Sequence, residues 1–216
     1  MHAVGIVAAA GSGLRLGADL PKALVPLAGR PMVCWAVQTL LDGGVDEVVV
    51  AVPAAEESRF QAALPSGIRL VHGGATRTAS VRAALAAVTD ADVVLIHDAA
   101  RPLTPPDVVG RVLAALAAGA PAVVPALPVV DTVVVVEGEE ITDAVPRATL
   151  RRVQTPQGFD RAALVAAYAA LGDDAELTDD AAVVRAAGIP VATVEGDERA
   201  AKVTVAHDLA LAELQV

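Results

Sequence analysis

The 216-residue sequence predicts an α/β protein, a doubly wound and mostly parallel sheet with a protruding β-hairpin arm. Three observations point there. Short Val-rich runs alternate with Ala-rich segments of helical length, the pattern of parallel strands covered by helices on both faces. A glycine-rich loop follows the first such run, where open α/β sheets place their ligands. From Val129 the alternation stops, and two strand-like segments flank a polar turn.

In chain order, strands are expected at 4–9, 47–52, 68–72, 93–97 and 122–126, each a short β-branched and apolar run. Helices are expected between them at 32–41, 56–64, 78–88 and 107–118, the last behind Pro105-Pro106, which suits a first helical turn. Segments 132–137 and 141–145 around Gly138-Glu139-Glu140 read as a hairpin. A two-stranded ribbon is marginal alone, so this one is expected to lie on another surface, such as a second subunit. Then follow an extended segment 153–159, a helix at 161–171, a polar loop at 172–178, a helix ending at Ala187, strands at 191–195 and 202–205, and a closing helix at 207–214. The length suits one domain, 1–216, with 129–150 as the arm.

Sixteen Lys+Arg against 26 Asp+Glu give a net charge of −10, which argues against nucleic acid and membrane surfaces as partners, since both need a basic face. The four aromatics, Trp35, Phe60, Phe159 and Tyr168, are too few for a row of stacked bases. A single cysteine, Cys34, excludes an intramolecular disulfide and a multi-cysteine metal site, and with no secretory leader pattern after Met1 a cytoplasmic location is expected. The uncharged stretch 112–130 is interrupted by Gly119, Pro121, Pro125 and Pro128, which is wrong for a membrane span.

The loop Ala8-Ala9-Ala10-Gly11-Ser12-Gly13-Leu14-Arg15-Leu16-Gly17 can bring backbone N–H groups close to phosphate. It differs from the dinucleotide fingerprint in glycine spacing, and Pro21 and Pro26 oppose the helix that the fingerprint requires. An extended loop carrying Arg15 and Lys22 can instead wrap a triphosphate. Lysine occurs only at Lys22 and Lys202; every other cation among the 16 is an arginine. A compact ammonium and a planar fork are not interchangeable around phosphate, so these two positions stand out.

Ala-Ala-Gly-x-Gly-x-Arg with Pro21-Lys22, Gly73-Gly74 with Arg77 and Ser80-Val81, His97-Asp98-Ala99-Ala100-Arg101-Pro102, Asp131-Thr132, Thr155-Pro156-Gln157, Thr178-Asp179 and Lys202-Val203-Thr204 form an ordered set. Together they resemble the 2-C-methyl-D-erythritol 4-phosphate cytidylyltransferases of the non-mevalonate isoprenoid pathway, over essentially the whole chain. The resemblance implies a Rossmann-like nucleotidyltransferase fold and transfer of CMP from CTP to the methylerythritol phosphate, with release of pyrophosphate and with magnesium. It implies catalytic roles for Arg15, Lys22, Arg147 and Lys202. CTP would meet Ala8, Ala9, Ala10, Gly11, Ser12, Gly13, Gly74, Ala75, Ser80 and Asp98. The second substrate would meet Asp98, Arg101, Thr132, Arg147, Thr155 and Lys202. Asp98 is the carboxylate that would help place magnesium, held mainly by phosphates and water.

In the family the arm crosses to the other subunit of a homodimer, bringing the residues that match Thr132 and Arg147 to the neighbour's substrate phosphate. Ala75 and Ala23-Leu24 depart from the residues usual in the family. A ribitol 5-phosphate cytidylyltransferase is the nearest alternative, since the acceptor pocket alone separates the two. A nicotinamide-dependent oxidoreductase and a non-catalytic nucleotide-binding module are the alternatives of another class. The two prolines after the glycine loop oppose the first, and Arg147 and Lys202, superfluous for CTP binding alone, oppose the second.

Overall fold

The computed structural model describes residues 1–11, 20–172 and 177–216. In chain order the elements are β1 (Ala3–Ala8), β2 (Pro26–Leu27), β3 (Arg30–Pro31), α1 (Met32–Asp42), β4 (Glu47–Val52), α2 (Glu57–Ala63), β5 (Arg69–His72), α3 (Arg77–Ala87), β6 (Val93–Asp98) and α4 (Pro106–Ala117). They continue with β7 (Ala122–Pro128), β8 (Val133–Glu137), β9 (Glu140–Val145), β10 (Arg151–Val153), β11 (Gln157–Asp160), α5 (Arg161–Ala170), α6 (Asp180–Ala186), β12 (Ala192–Glu195) and α7 (Ala206–Glu213).

The main sheet runs β5-β4-β1-β6-β11-β7, and all its ladders are parallel except those of β10 and β11. Val123 of β7 pairs with Gly158 on one side and Ala192 on the other, so β12 closes the far edge. Successive side chains of a strand face opposite ways, and β1 shows what that does here. Ala3 and Val7 join the core with Val33, Val37 and Leu40 of α1, Phe60 of α2 and Val112 and Leu116 of α4. Val4 and Ile6 join the other core, with Val81 and Leu85 of α3, Leu164 and Tyr168 of α5 and Val183 and Val184 of α6. Both faces are buried, hence the near-continuous apolar strands.

Two expectations need correction. The extended segment 153–159 is two strands: between the partner pairs Val153↔Ala126 and Gly158↔Val123 one strand advances five residues and β7 only three. Gln154, Thr155 and Pro156 therefore leave the regular ladder, with a cis Thr155-Pro156 peptide among them. The segment 202–205 is not a strand. Val203 donates one backbone bond to Ala100, 2.8 Å, and its side chain sits with Val25, Leu27, Met32 and Ala212, so its apolar character serves that small cluster and not a ladder.

Among the described residues, the hairpin β8–β9 pairs only with itself, and Ile141 is 70% exposed. Among the described residues, no helix is long and apolar enough to cross a membrane; the uncharged stretch becomes the end of α4 and β7.

Candidate functional site

β4 pairs with one side of β1 and β6 with the other, so the connections leaving their carboxyl ends diverge and open a crevice. A cleft of about 550 Å³ lies there, within the usual range for a small-molecule site. Its walls are residues 8–11 after β1, Lys22-Ala23, residues 74–77 with Ser80, residues 98–100 after β6, and Lys202 with Thr204.

The β5–α3 wall is pinned by short-range bonds. Thr76 caps α3, its Oγ1 accepting from the Ala79 N–H at 3.1 Å, and Ser80 Oγ donates to the Thr76 carbonyl at 2.8 Å, with the Gly74 carbonyl at 3.3 Å. A Cβ on Gly73 would lie 2.8 Å from Ala10 Cβ, and one on Gly74 2.5 Å from Ala79 Cβ, so both glycines let the wall approach the β1 loop and its own helix. Ala75 lines the cleft and offers only backbone polar groups.

Asp98 ends β6 at the floor. Lys202 Nζ stands 2.8 Å from its Oδ2, Arg77 Nε 3.4 Å from its Oδ1 and Arg101 Nε 4.0 Å from its Oδ2. Burial pushes the Asp98 carboxyl up, but Arg77, Lys202 and Arg101 outweigh it and hold the group well below the usual carboxylate range. The Asp98 N–H donates to Thr155 Oγ1 at 3.1 Å, and the same hydroxyl shares a 2.9 Å hydrogen bond with Nδ1 of His97. Burial lowers the His97 pKa to about 4, the pull of Asp98 and the push of Arg101 being smaller, so the ring is neutral at pH 7.

Lys22 opens a short 3-10 turn whose Ala23 and Leu24 are buried, so the two family departures there point into the core. Arg15, Ser12 and Gly13 lie outside the described residues. Arg101 is away from the cleft lining; its Nη1 donates to the Ala200 carbonyl at 2.7 Å, tying the β6 loop to the segment that carries Lys202. Thr155, expected at the substrate, is buried beside Asp98, its hydroxyl bonded to the Asp98 N–H and to His97. Thr132 and Arg147 are exposed at the base of the hairpin and do not line their own chain's cleft; Arg147 Nη1 donates to the Val130 carbonyl at 2.6 Å.

Sequence reasoning assigned no role to three residues that meet here. Arg77 Nη2 lies 2.7 Å from Asp180 Oδ2, and the Tyr168 hydroxyl donates to Asp180 Oδ1 at 2.6 Å. Asp180 has no exposed surface. Burial disfavours the charged Arg77, and Asp180 and Asp98 more than offset it, raising its pKa. The available signal was Arg77 beside Gly73-Gly74 and the carboxylate pair Asp179-Asp180. Among the described residues, no group of three or more His, Cys, Asp or Glu side chains could hold a metal by itself.

The chain matches a family model described as IspD: 2-C-methyl-D-erythritol 4-phosphate cytidylyltransferase, over residues 3–216. It is 54% identical, over 214 residues, to a protein of that name from Nocardia farcinica, covering 97% of this chain and 92% of the relative. The protein of that name from Saccharopolyspora erythraea is 53% identical over 222 residues, covering 99% and 98%. The crystal structure of the Thermus thermophilus 2-C-methyl-D-erythritol 4-phosphate cytidylyltransferase superposes with a TM-score of 0.84 at 42% identity, covering 100% of this chain and 98% of that one.

Proposed function

The chain belongs to the 2-C-methyl-D-erythritol 4-phosphate cytidylyltransferase family, and from that membership we propose how its cleft performs the reaction. The enzyme transfers CMP from CTP to 2-C-methyl-D-erythritol 4-phosphate, giving 4-diphosphocytidyl-2-C-methyl-D-erythritol and pyrophosphate in isoprenoid synthesis. A phosphate oxygen of the acceptor attacks the α-phosphorus of CTP; one P–O bond forms, the α–β bridging P–O bond breaks, and pyrophosphate leaves with that electron pair. The attacking oxygen is already anionic, so positioning and charge stabilisation carry the step and no covalent nucleophile is needed.

One observation carries the assignment of the site: both lysines of the chain line this one cleft, at the switch point of the sheet. In our reading Arg15 and Lys22 hold the triphosphate and stabilise the leaving group. CTP meets residues 8–13, Gly74, Ala75 and Ser80, the cytosine being read by Gly74, Ala75, Ser80 and the backbone of residues 8–11, with Asp98 near the ribose. Lys202 passes from Asp98 to the acceptor phosphate, and Arg101 and Thr155, on either side of the Asp98 loop, complete the acceptor site. The neighbouring subunit's arm supplies Thr132 and Arg147, which suits a ribbon that pairs only with itself.

Magnesium fits as an ion carried in by the nucleotide. Both Asp98 oxygens already face cations, so this carboxylate suits one contact to an ion otherwise held by phosphates and water. When bound, the ion neutralises charge on the triphosphate. We place the enzyme in the cytoplasm as a homodimer acting on these two small substrates, with neither nucleic acid nor membrane as a partner; the net charge of −10 and the lone cysteine support this.

The test is pyrophosphate release from CTP and magnesium with either methylerythritol phosphate or ribitol 5-phosphate. Turnover with the first and little with the second is expected; no release with the first overturns the reading.

A further inference from the structure

Arg77 begins α3 with its guanidinium between two carboxylates that belong to different parts of the fold. Nη2 meets Asp180 at 2.7 Å and Nε meets Asp98 at 3.4 Å. On the far side, the Tyr168 hydroxyl from α5 takes the other oxygen of Asp180 at 2.6 Å, inside the core shared by α3, α5 and α6. On the near side, the other oxygen of Asp98 is held by Lys202 at 2.8 Å. A continuous polar chain, Tyr168–Asp180–Arg77–Asp98–Lys202, therefore runs from the sheet's covered face to the cleft floor.

Two features set this chain apart from an ordinary ion pair. Asp180 has no exposed surface, and a desolvated carboxylate is costly unless each oxygen is matched, which Tyr168 and Arg77 do. The bridge also uses two separate nitrogens of one rigid planar fork, Nη2 and Nε, a geometry that a single ammonium group cannot reproduce. Its rigidity matters because Asp98 has two cationic partners facing the cleft, and one of them, Lys202, is needed elsewhere during the reaction. With Arg77 fixed on Oδ1, Asp98 stays charge-matched and oriented when Lys202 leaves it.

We propose that Arg77 is a positioning residue of cytidylyl transfer, clamped by the buried Tyr168–Asp180 pair so that Asp98 can release Lys202 to the acceptor phosphate. This rests on the assignment of the cleft given above. Without the clamp, Arg77 is free to turn, Asp98 follows it, and Lys202 remains bound to Asp98 as a mismatched pair.

The experiment measures kcat and both KM values of the full-length enzyme carrying Arg77→Lys, Asp180→Asn or Tyr168→Phe, scaled to sites that bind CTP. Arg77→Lys keeps the charge and loses the fork; kcat is expected to fall about tenfold or more, with KM for CTP within about threefold, the scale of a small misplacement. Tyr168→Phe removes a single hydroxyl from behind the bracket and is expected to lower kcat in the same direction by less; it serves if Asp180→Asn fails to fold. Wild-type kcat in Arg77→Lys would show that charge alone suffices and would overturn the proposal. So would a rise in KM for CTP with kcat unchanged, or a loss of rate that vanishes once scaled to CTP-binding sites. Wild-type turnover in the same assay separates failure of this inference from failure of the cleft assignment.

Discussion

Thr155 makes the end of β6 usable as a site. The β6–β11 ladder stops at the pair Ile96↔Gln157, and two residues on, the Thr155 hydroxyl accepts the Asp98 N–H in place of a strand carbonyl. Thr155→Val leaves that donor and the His97 Nδ1 without this partner, so urea unfolding is expected to show a loss of about 1–3 kcal/mol, whereas Thr155→Ser keeps the hydroxyl and most of the stability. Lys22→Ala is expected to lower kcat by about 10² or more in pyrophosphate release, the scale of losing one preorganised charge-stabilising group. Lys22 and Lys202 could be singled out from sequence because lysine is so scarce in this chain. Arg77 belonged to a motif, but its role could not be read there, because its meaning depends on Asp180, 103 residues away. Thr155 was legible as a site residue from its motif, but its bonds to the Asp98 N–H and to His97 could not be read from sequence, because a motif records that a hydroxyl matters and not which way it faces.

The elements differ in how far local pattern defines them. The hairpin is legible because Gly138 interrupts a run of β-branched residues with a positive-φ turn, at φ 64°. The split between β10 and β11 is not, because 153–159 reads as one strand until its register against β7 is known. At β11 the helical cover comes unusually close: a Cβ on Gly158 would lie 2.4 Å from Val112 Cγ1 and 2.8 Å from Leu116 Cδ1. Gly158→Ala must push α4 outward or twist the strand, and a stability loss of about 1–3 kcal/mol is expected in urea unfolding. By contrast, the Val-Thr-Val of 203–205 resembles a strand only because one of its valines fills a small core under α7.

At the scale of the molecule, a chain of charge −10 gathers Lys22, Arg77 and Lys202 around one cleft and leaves Arg147 outside it. If the arm serves a neighbour, an Arg147→Ala subunit and a Lys22→Ala subunit complement each other. Random reassortment of the two variants is expected to restore about a quarter of wild-type turnover, because half the dimers form with one intact site each. Activity that stays at the level of the separate variants would mean that each chain completes its own site. Sequence could suggest such an arm from its missing packing partner, but which residues share a site depends on the whole topology. That topology also sets a timetable for synthesis. β6 and β7 are separated by β11, which follows β7 in the chain, so the two strands face an empty slot until residues 157–160 emerge. At about 5–20 residues per second, the interval from the end of β7 to the end of β11 lasts roughly 2–6 s. During that time the nascent chain carries two open strand edges, the kind of surface that recruits other chains, and release before β11 yields an aggregation-prone fragment.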